Sequence, residues 1–425
     1  MDYQTAVTFI HALPRLAKDG SHKRINALLA ALGHPEANQQ YIHVTGTNGK
    51  GSVANATAHI LEAAGLRVGL FTSPFIMRFN ERFMIDHQPI PDPTLAAVTT
   101  RVAAALAKLQ AQQPAFVVTE FEFVTALGLV YFHDAGVDVA VIEVGIGGKE
   151  DSTNVIMPQV AVITSVGLDH QALLGKTITS IATHKAGIIK PQVPVVTGAL
   201  PEAAKAVVAA RVTAMHSQWD AYPETFVANA AMAFDWGQTF TYQDADGRLR
   251  DLTIPLVGTY QPANMAVAIR AAKRFAQGAA LALSEAAIRA GLQASVWPGR
   301  MEKISSQPLI ILDGAHNPQG IRGLVQTLAG LFGEQAVTVM AGVLKDKDVT
   351  TMIEQLRGSQ HRLWLVPVPN TPRATALGDY PANVKHFDRW QEALAAYRQE
   401  ATGEPLVITG SLYLVAAVRQ ALMAP

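Results

Sequence analysis

The stretch YIHVTGTNGKGS, residues 41–52, constrains the chain more than any other. An apolar β-rich run, Tyr41–Thr45, feeds a turn with glycines at 46, 49 and 51, and a helical pattern, Ser52–Ala64, follows at once. A strand that opens a helix through such a turn makes an anion site. Glycines let backbone N–H groups turn inward and approach phosphate oxygens closely. The helix N-terminus adds partial positive charge. Lys50 is placed to reach terminal phosphates, and Ser52 to offer a hydroxyl to Mg2+. The spacing departs from the common GxxxxGK(S/T) pattern, because Gly46 and Gly49 are three apart and Gly51 separates Lys50 from Ser52. A purely structural turn is the alternative; the strand–loop–helix context favours phosphate.

The rest of the chain repeats the strand–helix alternation. Apolar runs Arg67–Phe71, Val139–Val144, Val160–Thr164 and Val195–Thr197 are separated by helical patterns such as Phe121–His133, and Glu202–Met215 follows the last. Fully apolar strands between helices predict a parallel sheet covered on both faces. TFTYQDADGRLRDLTI, 239–254, predicts a hairpin turning at Asp246-Gly247, taken as an antiparallel edge on the first domain. A break at Trp297-Pro298-Gly299-Arg300 predicts a linker. Beyond it come strands Leu309–Leu312, Ala336–Ala341, Leu363–Val368 and Leu406–Thr409, with helices Gln319–Leu331, Val349–Leu356 and Leu412–Leu422. The expected architecture is α/β: a P-loop parallel-sheet ATPase domain over 1–296, with a small antiparallel edge, and a smaller Rossmann-like α/β domain over 297–425. The alanine-rich stretches 96–111 and 203–210 are ordinary helices, and the aromatics of 121–132 belong to the core.

With 425 residues, one hydrophobic core is too few. Lys and Arg number 34 and Asp and Glu 34, so no broad field draws the chain to nucleic acid or anionic lipid. An anionic ligand needs a local site. Without cysteine there are no disulfides and no thiolate metal site, which suits a cytoplasmic protein. The first twenty residues lack a basic start followed by an apolar stretch, so no signal peptide is expected, and no apolar run is long enough for a bilayer.

A P-loop ATPase also needs a carboxylate beside the magnesium, at a neighbouring strand end. Glu143 follows the apolar run Val139 to Ile142, where a buried acid is expensive without a cation. Asp169 and His170 stand just past another strand, and His170 becomes a ligand candidate by its place at the same sheet edge. For both acid and histidine the plainer alternative is a solvent-facing strand end.

At these residues the sequence resembles the folylpolyglutamate synthase family, and more broadly the Mur ligases. The matching segments are VTGTNGKGS (44–52), FTSPFIMRFNER (71–82), TEFEFVTALGLVYF (119–132), EVGIGGKEDSTN (143–154), GLDHQALLGKTITSIATHKAGIIK (167–190), GTYQPANMAVA (258–268), WPGRME (297–302) and DGAHNP (313–318). The resemblance implies an enzyme that uses ATP and Mg2+ to join the α-amine of L-glutamate to the γ-carboxylate of a reduced folate. Phosphoryl transfer makes an acyl phosphate with a good leaving group; the amine then attacks and phosphate departs. It makes Thr47, Asn48, Gly49, Lys50, Gly51 and Ser52 the phosphate cradle, with Asn264, Arg300 and Asp313 as further ATP contacts. Ser52, Ser73, Glu143 and His170 become magnesium ligands. Phe75 and Arg82 would contact folate. His316 would serve glutamate or the chemistry, together with Lys50, Lys185 and Asp313, and Ser411 would bind a glutamate carboxylate or cap a helix. Arg373 is a weaker candidate for glutamate.

Lys185 would be carbamylated, turning a cation into a metal-binding anion; the alternative is a solvated helix face. Two departures stand out: His184 where an acid is expected, and Lys149 after Gly147-Gly148. Reduced folate and L-glutamate are the expected partners, with no nucleic acid or membrane, and a monomer is expected. A cell-wall Mur ligase is disfavoured because only 45 residues precede Gly46, too few for a UDP-sugar domain. A P-loop regulator without ligase activity would leave DGAHNP unexplained. Some relatives also act on dihydropteroate, and the catalytic motifs would be common to both activities.

Overall fold

The structure is a computed structural model that describes residues 1–15, 22–359, 361–400 and 403–423. Its largest sheet has eight strands: β1 (Tyr41–Thr45), β2 (Val68–Phe71), β3 (Phe83–Ile85), β4 (Gln88–Pro89), β5 (Val139–Glu143), β6 (Val160–Ile163), β7 (Val195–Thr197) and β8 (Trp219–Ala221). They are ordered β4-β3-β2-β5-β1-β6-β7-β8. The six strands from β2 to β8 in that order run parallel, while β3 and β4 add a small antiparallel edge. Every residue of β1 and β5 is buried, as strands covered on both faces require. The glycine turn leaves the carboxyl end of β1, with β5 on one side and β6 on the other. Such a sheet binds ligands beyond the carboxyl ends of its strands, where the winding direction reverses.

The hairpin predicted at 246–247 exists but does not edge this sheet. β9 (Phe226–Phe234), β10 (Gly237–Asp244) and β11 (Gly247–Ile254) form their own three-stranded antiparallel sheet. Alternation in sequence shows that a strand is half-buried, not which sheet it joins. Phe240, Tyr242, Leu252 and Ile254 join the core beneath the glycine-turn helix Lys50–Ala63. That helix is buried nearly all round. Helix Glu285–Ala294 packs against it through Gly291, where an added Cβ would lie 2.5 Å from the Ile60 backbone.

A six-stranded sheet follows the linker: β12 (Glu302–Ser306), β13 (Leu309–Leu312), β14 (Thr338–Ala341), β15 (Arg362–Leu365), β16 (Lys385–His386) and β17 (Leu406–Thr409). The order is β12-β13-β17-β14-β15-β16, parallel except for β12. β12 was not anticipated. The loops after β13, β14 and β17 all leave carboxyl ends and begin with Asp313, Gly342 and Gly410. Among the described residues no helix is long and apolar enough to cross a membrane.

Candidate active site

The glycine turn is shaped from its backbone outward. Gly49 sits at φ +84°, a left-handed conformation that a side chain would strain. A Cβ at Gly46 would run into the Thr164 hydroxyl, and one at Gly51 would lie 2.8 Å from the Trp297 indole nitrogen. No side chain caps the helix that starts at Lys50, so its first amides are left for an anion. The turn is pinned to the strand beside it. Thr47 N donates to Ser165 O at 2.9 Å, Asn48 N to Ser165 Oγ at 2.9 Å, and Thr164 Oγ1 to Asn48 O at 2.6 Å. Lys50 Nζ donates to Gly46 O at 3.0 Å, folded back over the turn. Asn264 packs on Gly49 and donates to Gln261 at 3.0 Å.

Glu143 ends β5, and its side chain is buried. One carboxylate oxygen accepts the backbone N–H of Ser73 at 2.9 Å. Among the described residues it forms no ion pair. Burial raises its pKa, against the fields of Lys50, Arg300 and Arg82. A buried carboxylate held so, next to Ser73, is a setting of the kind Mg2+ prefers.

Past β6 the chain places Asp169, which has the opposite environment. Its Oδ1 accepts Lys347 Nζ at 2.5 Å, and its Oδ2 accepts Asn317 Nδ2 at 3.1 Å. His316 Nε2 and His170 Nε2 lie 3.8 and 3.9 Å from Oδ2. Lys347, His316 and Asn317 belong to the C-terminal sheet's loops, so one carboxylate ties the two halves together. Asn48 reinforces the tie by a reciprocal amide pair with Asn317, at 3.0 and 3.2 Å. The Asn48 side chain is thereby turned to the other domain, and only its backbone belongs to the phosphate turn. Burial lowers the pKa of both His170 and His316 to about 4, so each ring is neutral near pH 7. His316 Nδ1 pairs with Gly314 O at 2.8 Å, which leaves Nε2 as the lone-pair nitrogen.

These loops enclose a cavity of about 640 Å³ lined by Arg82, His170, His316, Lys347, Arg373 and Ser411 among others. A second, of about 280 Å³, is lined by Gly51, Phe75, Glu143, Trp297 and Arg300. Ser73 and Pro74 line both.

The comparisons decide what this arrangement belongs to. The Mur ligase middle domain matches residues 44–272, and the Mur ligase glutamate ligase domain matches 299–412. The folylpolyglutamate synthase of Lacticaseibacillus casei is 58% identical over 425 residues, covering 100% of this chain and 99% of the relative. The chain belongs to the folylpolyglutamate synthase family. The dihydrofolate synthase/folylpolyglutamate synthase of Bacillus subtilis is 35% identical and covers 99% of both chains. An FPGS–AMPPCP–folate complex superposes with a TM-score of 0.94 at 56% identity, and the Mycobacterium tuberculosis folylpolyglutamate synthase with ADP and AMPPCP with 0.91 at 31%; each covers all of both chains.

Arg82 is half-buried, its guanidinium 5.2 Å from the centre of the Phe75 ring, and among the described residues its buried Nε has no hydrogen-bond partner. Phe75 lines the smaller cavity and Arg82 the larger, so the two are neighbours facing different spaces. Asp313 is buried; its oxygens accept Met301 N at 3.0 Å and Ala315 N at 2.9 Å, which holds the linker to the loop after β13. Lys185 is 3% exposed. Burial drives its pKa far below the usual lysine value. Among the described residues its amine forms no hydrogen bond or ion pair. A solvated helix face is thus excluded. His184 Nδ1 pairs with Glu150 at 2.7 Å, and Lys149 also faces Glu150, at 3.4 Å, with its own side chain 63% exposed. Lys149 is thereby directed at Glu150 rather than at Glu143. Ser411 is buried against the larger cavity, and its hydroxyl accepts Tyr413 N at 3.2 Å, so helix cap and cavity wall coincide. Arg373 is held by Asp346, at 3.0 Å from its Nε.

Sequence reasoning passed over Lys347 and Asn317. Both stand just beyond carboxyl ends of parallel strands, the one position rule that could have drawn notice to them.

Proposed function

We propose that this chain adds L-glutamate to the γ-carboxylate of a reduced folate at the expense of ATP, as a monomer. The observation that supports this most is Glu143. A buried carboxylate without an ion pair stands beside the uncapped glycine-turn helix and opens onto the linker, where an oxygen-seeking dication would satisfy it. In this reading Ser52, Ser73, Glu143 and His170 would hold Mg2+, which would neutralise charge on the phosphates. The amides of Thr47 to Ser52 and Lys50 hold the phosphates, while Asn264, Arg300 and Asp313 shape the nucleotide's surroundings. Lys50 leaves Gly46 O when the nucleotide enters.

Folate lies against Phe75 and Arg82 and brings its γ-carboxylate toward Ser73, the wall common to the two cavities. Glutamate enters the larger cavity, where Ser411 and Lys347 offer hydrogen bonds and charge to its carboxylates. The glutamate ammonium must lose a proton before its nitrogen attacks. That proton leaves to solvent, and the neutral His316 accepts a hydrogen bond from the amine at its Nε2 lone pair and so orients it. Positioning and charge stabilisation are the protein's share, because the phosphoryl group itself needs little covalent help. Burial favours the uncharged amine of Lys185, the form that adds carbon dioxide, giving a carbamate and releasing one proton.

The test is a product assay by mass spectrometry with MgATP and L-glutamate, given tetrahydrofolate in one tube and dihydropteroate in another. One added glutamate on tetrahydrofolate alone is the expected result. Addition in both tubes would make the chain bifunctional, as the 35% identical relative is named. Addition in neither would overturn the ligase reading and reopen that of a nucleotide-binding regulator.

A further inference from the structure

Away from the sheet edge, three potential ligands converge on the outer part of the glycine-turn helix. His59 and Glu62 lie one turn apart on that helix, and His87 stands in the β3–β4 turn with φ 54°. One ligand atom from each lies within 4.8 Å of the others. The two imidazoles are stacked, with centroids 3.2 Å apart and planes 3° from parallel, so both present an edge to Glu62. His87 Nδ1 is 2.7 Å from each Glu62 oxygen, and His59 Nδ1 is 3.4 Å from one of them. The side chains are 14–18% exposed, which leaves an ion a route in from solvent.

The hydrogen bonds around His87 fix what its Nδ1 can be. Asn55 Nδ2 donates to Val296 O at 3.2 Å, so Asn55 Oδ1 is the oxygen that meets His87 Nε2 at 3.0 Å. Nε2 must then carry hydrogen. In a neutral ring Nδ1 is a lone pair, aimed at a carboxylate that is also an acceptor. Two acceptors cannot stay 2.7 Å apart unless something positive lies between them. That is either an extra proton or a metal ion.

We propose that His59, Glu62 and His87 form a binding site for a first-row transition dication such as Zn2+, separate from the Mg2+ site. Two imidazoles and one carboxylate suit zinc, cobalt or nickel, whereas magnesium wants oxygen. Asn55 orients His87 from behind, as the outer hydrogen-bond partners of metal-bound histidines do. The site has a mechanical consequence. It fastens the β3–β4 turn to the phosphate-binding helix, and through Asn55 to Val296, at the edge of the linker joining the domains. An ion there would stiffen the base of the hinge.

The experiment is a calorimetric titration of tag-free protein with Zn2+ in excess Mg2+, followed by X-ray absorption at the zinc edge. One equivalent is expected, with two imidazoles in its shell. His59→Asn, Glu62→Gln and His87→Asn should each weaken binding about 100-fold or more, and Asn55→Ala about 10- to 100-fold. His170→Ala should leave it intact. X-ray absorption on the unaltered protein keeps the test valid if a variant fails to fold. Fewer than two imidazoles, or binding lost in His170→Ala, would overturn the proposal by moving the ion to the other centre. Absence of zinc uptake would also overturn it, leaving a proton shared by His87 and Glu62.

Discussion

Glu143 and Asp169 stand on opposite sides of the same glycine turn, one at the end of β5 and the other just past β6, and both are buried. Their surroundings differ in one respect. Asp169 has its counter-charge supplied by the protein, in Lys347, and its pKa is pulled down by that lysine and the two histidines despite burial. Among the described residues Glu143 has only a backbone N–H, and burial pushes its pKa up. A charge satisfied from within the chain makes a clasp. A charge left without a partner makes a binding site, because the missing cation must arrive with the substrate. On the proposed reading the two acids divide the work: Asp169 holds the domains in register and Glu143 would receive what they close around.

The largest effect should come from Glu143→Gln. With Glu143 as the proposed Mg2+ ligand, its loss should lower kcat by about 10³-fold or more. The fold should not suffer. Because the folded pKa is raised, the native state holds its proton more tightly than the unfolded chain. Ionised Glu143 therefore costs stability as pH rises above its unfolded value of 4.5. Metal-free Glu143→Gln should melt at or above the temperature of the unaltered protein at pH 8. A clear drop in the melt would mean that Glu143 is compensated after all, and the contrast with Asp169 would fail.

Asp169→Asn should behave in the reverse way. It leaves Lys347 buried without its anion, a change worth about 3–5 kcal/mol in comparable pairs. Lys347→Met should cost a similar amount, and the double variant less than the sum. Chemical denaturation of all four proteins measures the coupling. Strict additivity would show that the 2.5 Å contact contributes nothing to holding the domains.

Lys185→Ala sharpens the comparison at a third buried titratable group, an amine whose charged form is disfavoured by burial and which the proposed carbamate would turn into an anion. Activity should fall about 100-fold or more and return in part with a short carboxylate such as formate. Unchanged turnover would remove the carbamate from the account.

How much of this was visible in the chain itself follows from the range of each interaction. β1, β7, β13 and β17 were delimited correctly to the residue because short apolar runs end at glycine, proline or charge. The glycine turn and Glu143 were legible because a strand end and a helix start are neighbours in sequence. The clasp was not: Lys347 stands 178 residues from Asp169, in a segment without a motif. The same reason hid His87, which reaches Glu62 only because the β3–β4 turn folds back over the glycine-turn helix. The 239–254 hairpin was found, but its sheet was not, since period-two alternation carries no information about the neighbouring strand.

The smallest effect should be the pH dependence of stability, and it tests the same division of charges. His170 and His316 have folded pKa values of about 4 against an ordinary 6.5, both lowered first by burial. His43 is lowered to about 3 by burial, and its Nε2 is held by Thr153 at 2.8 Å. In each case the unfolded chain binds the proton more readily. Stability should be complete above pH 6.5 and decline as the pH falls toward 4. Asp169 has the same sign at lower pH, because its folded pKa is depressed and its contribution is lost only as the acid range is reached. Glu143 opposes them, gaining stability on protonation. Denaturation midpoints at a series of pH values should therefore fall steadily from pH 7 to 5 in the unaltered protein. The decline should steepen in Glu143→Gln, where the opposing group is gone. Parallel curves for the two proteins would show that Glu143 is ionised in the native state across this range just as in the unfolded chain, so that its pKa is not raised and it is not the open charge of the pair.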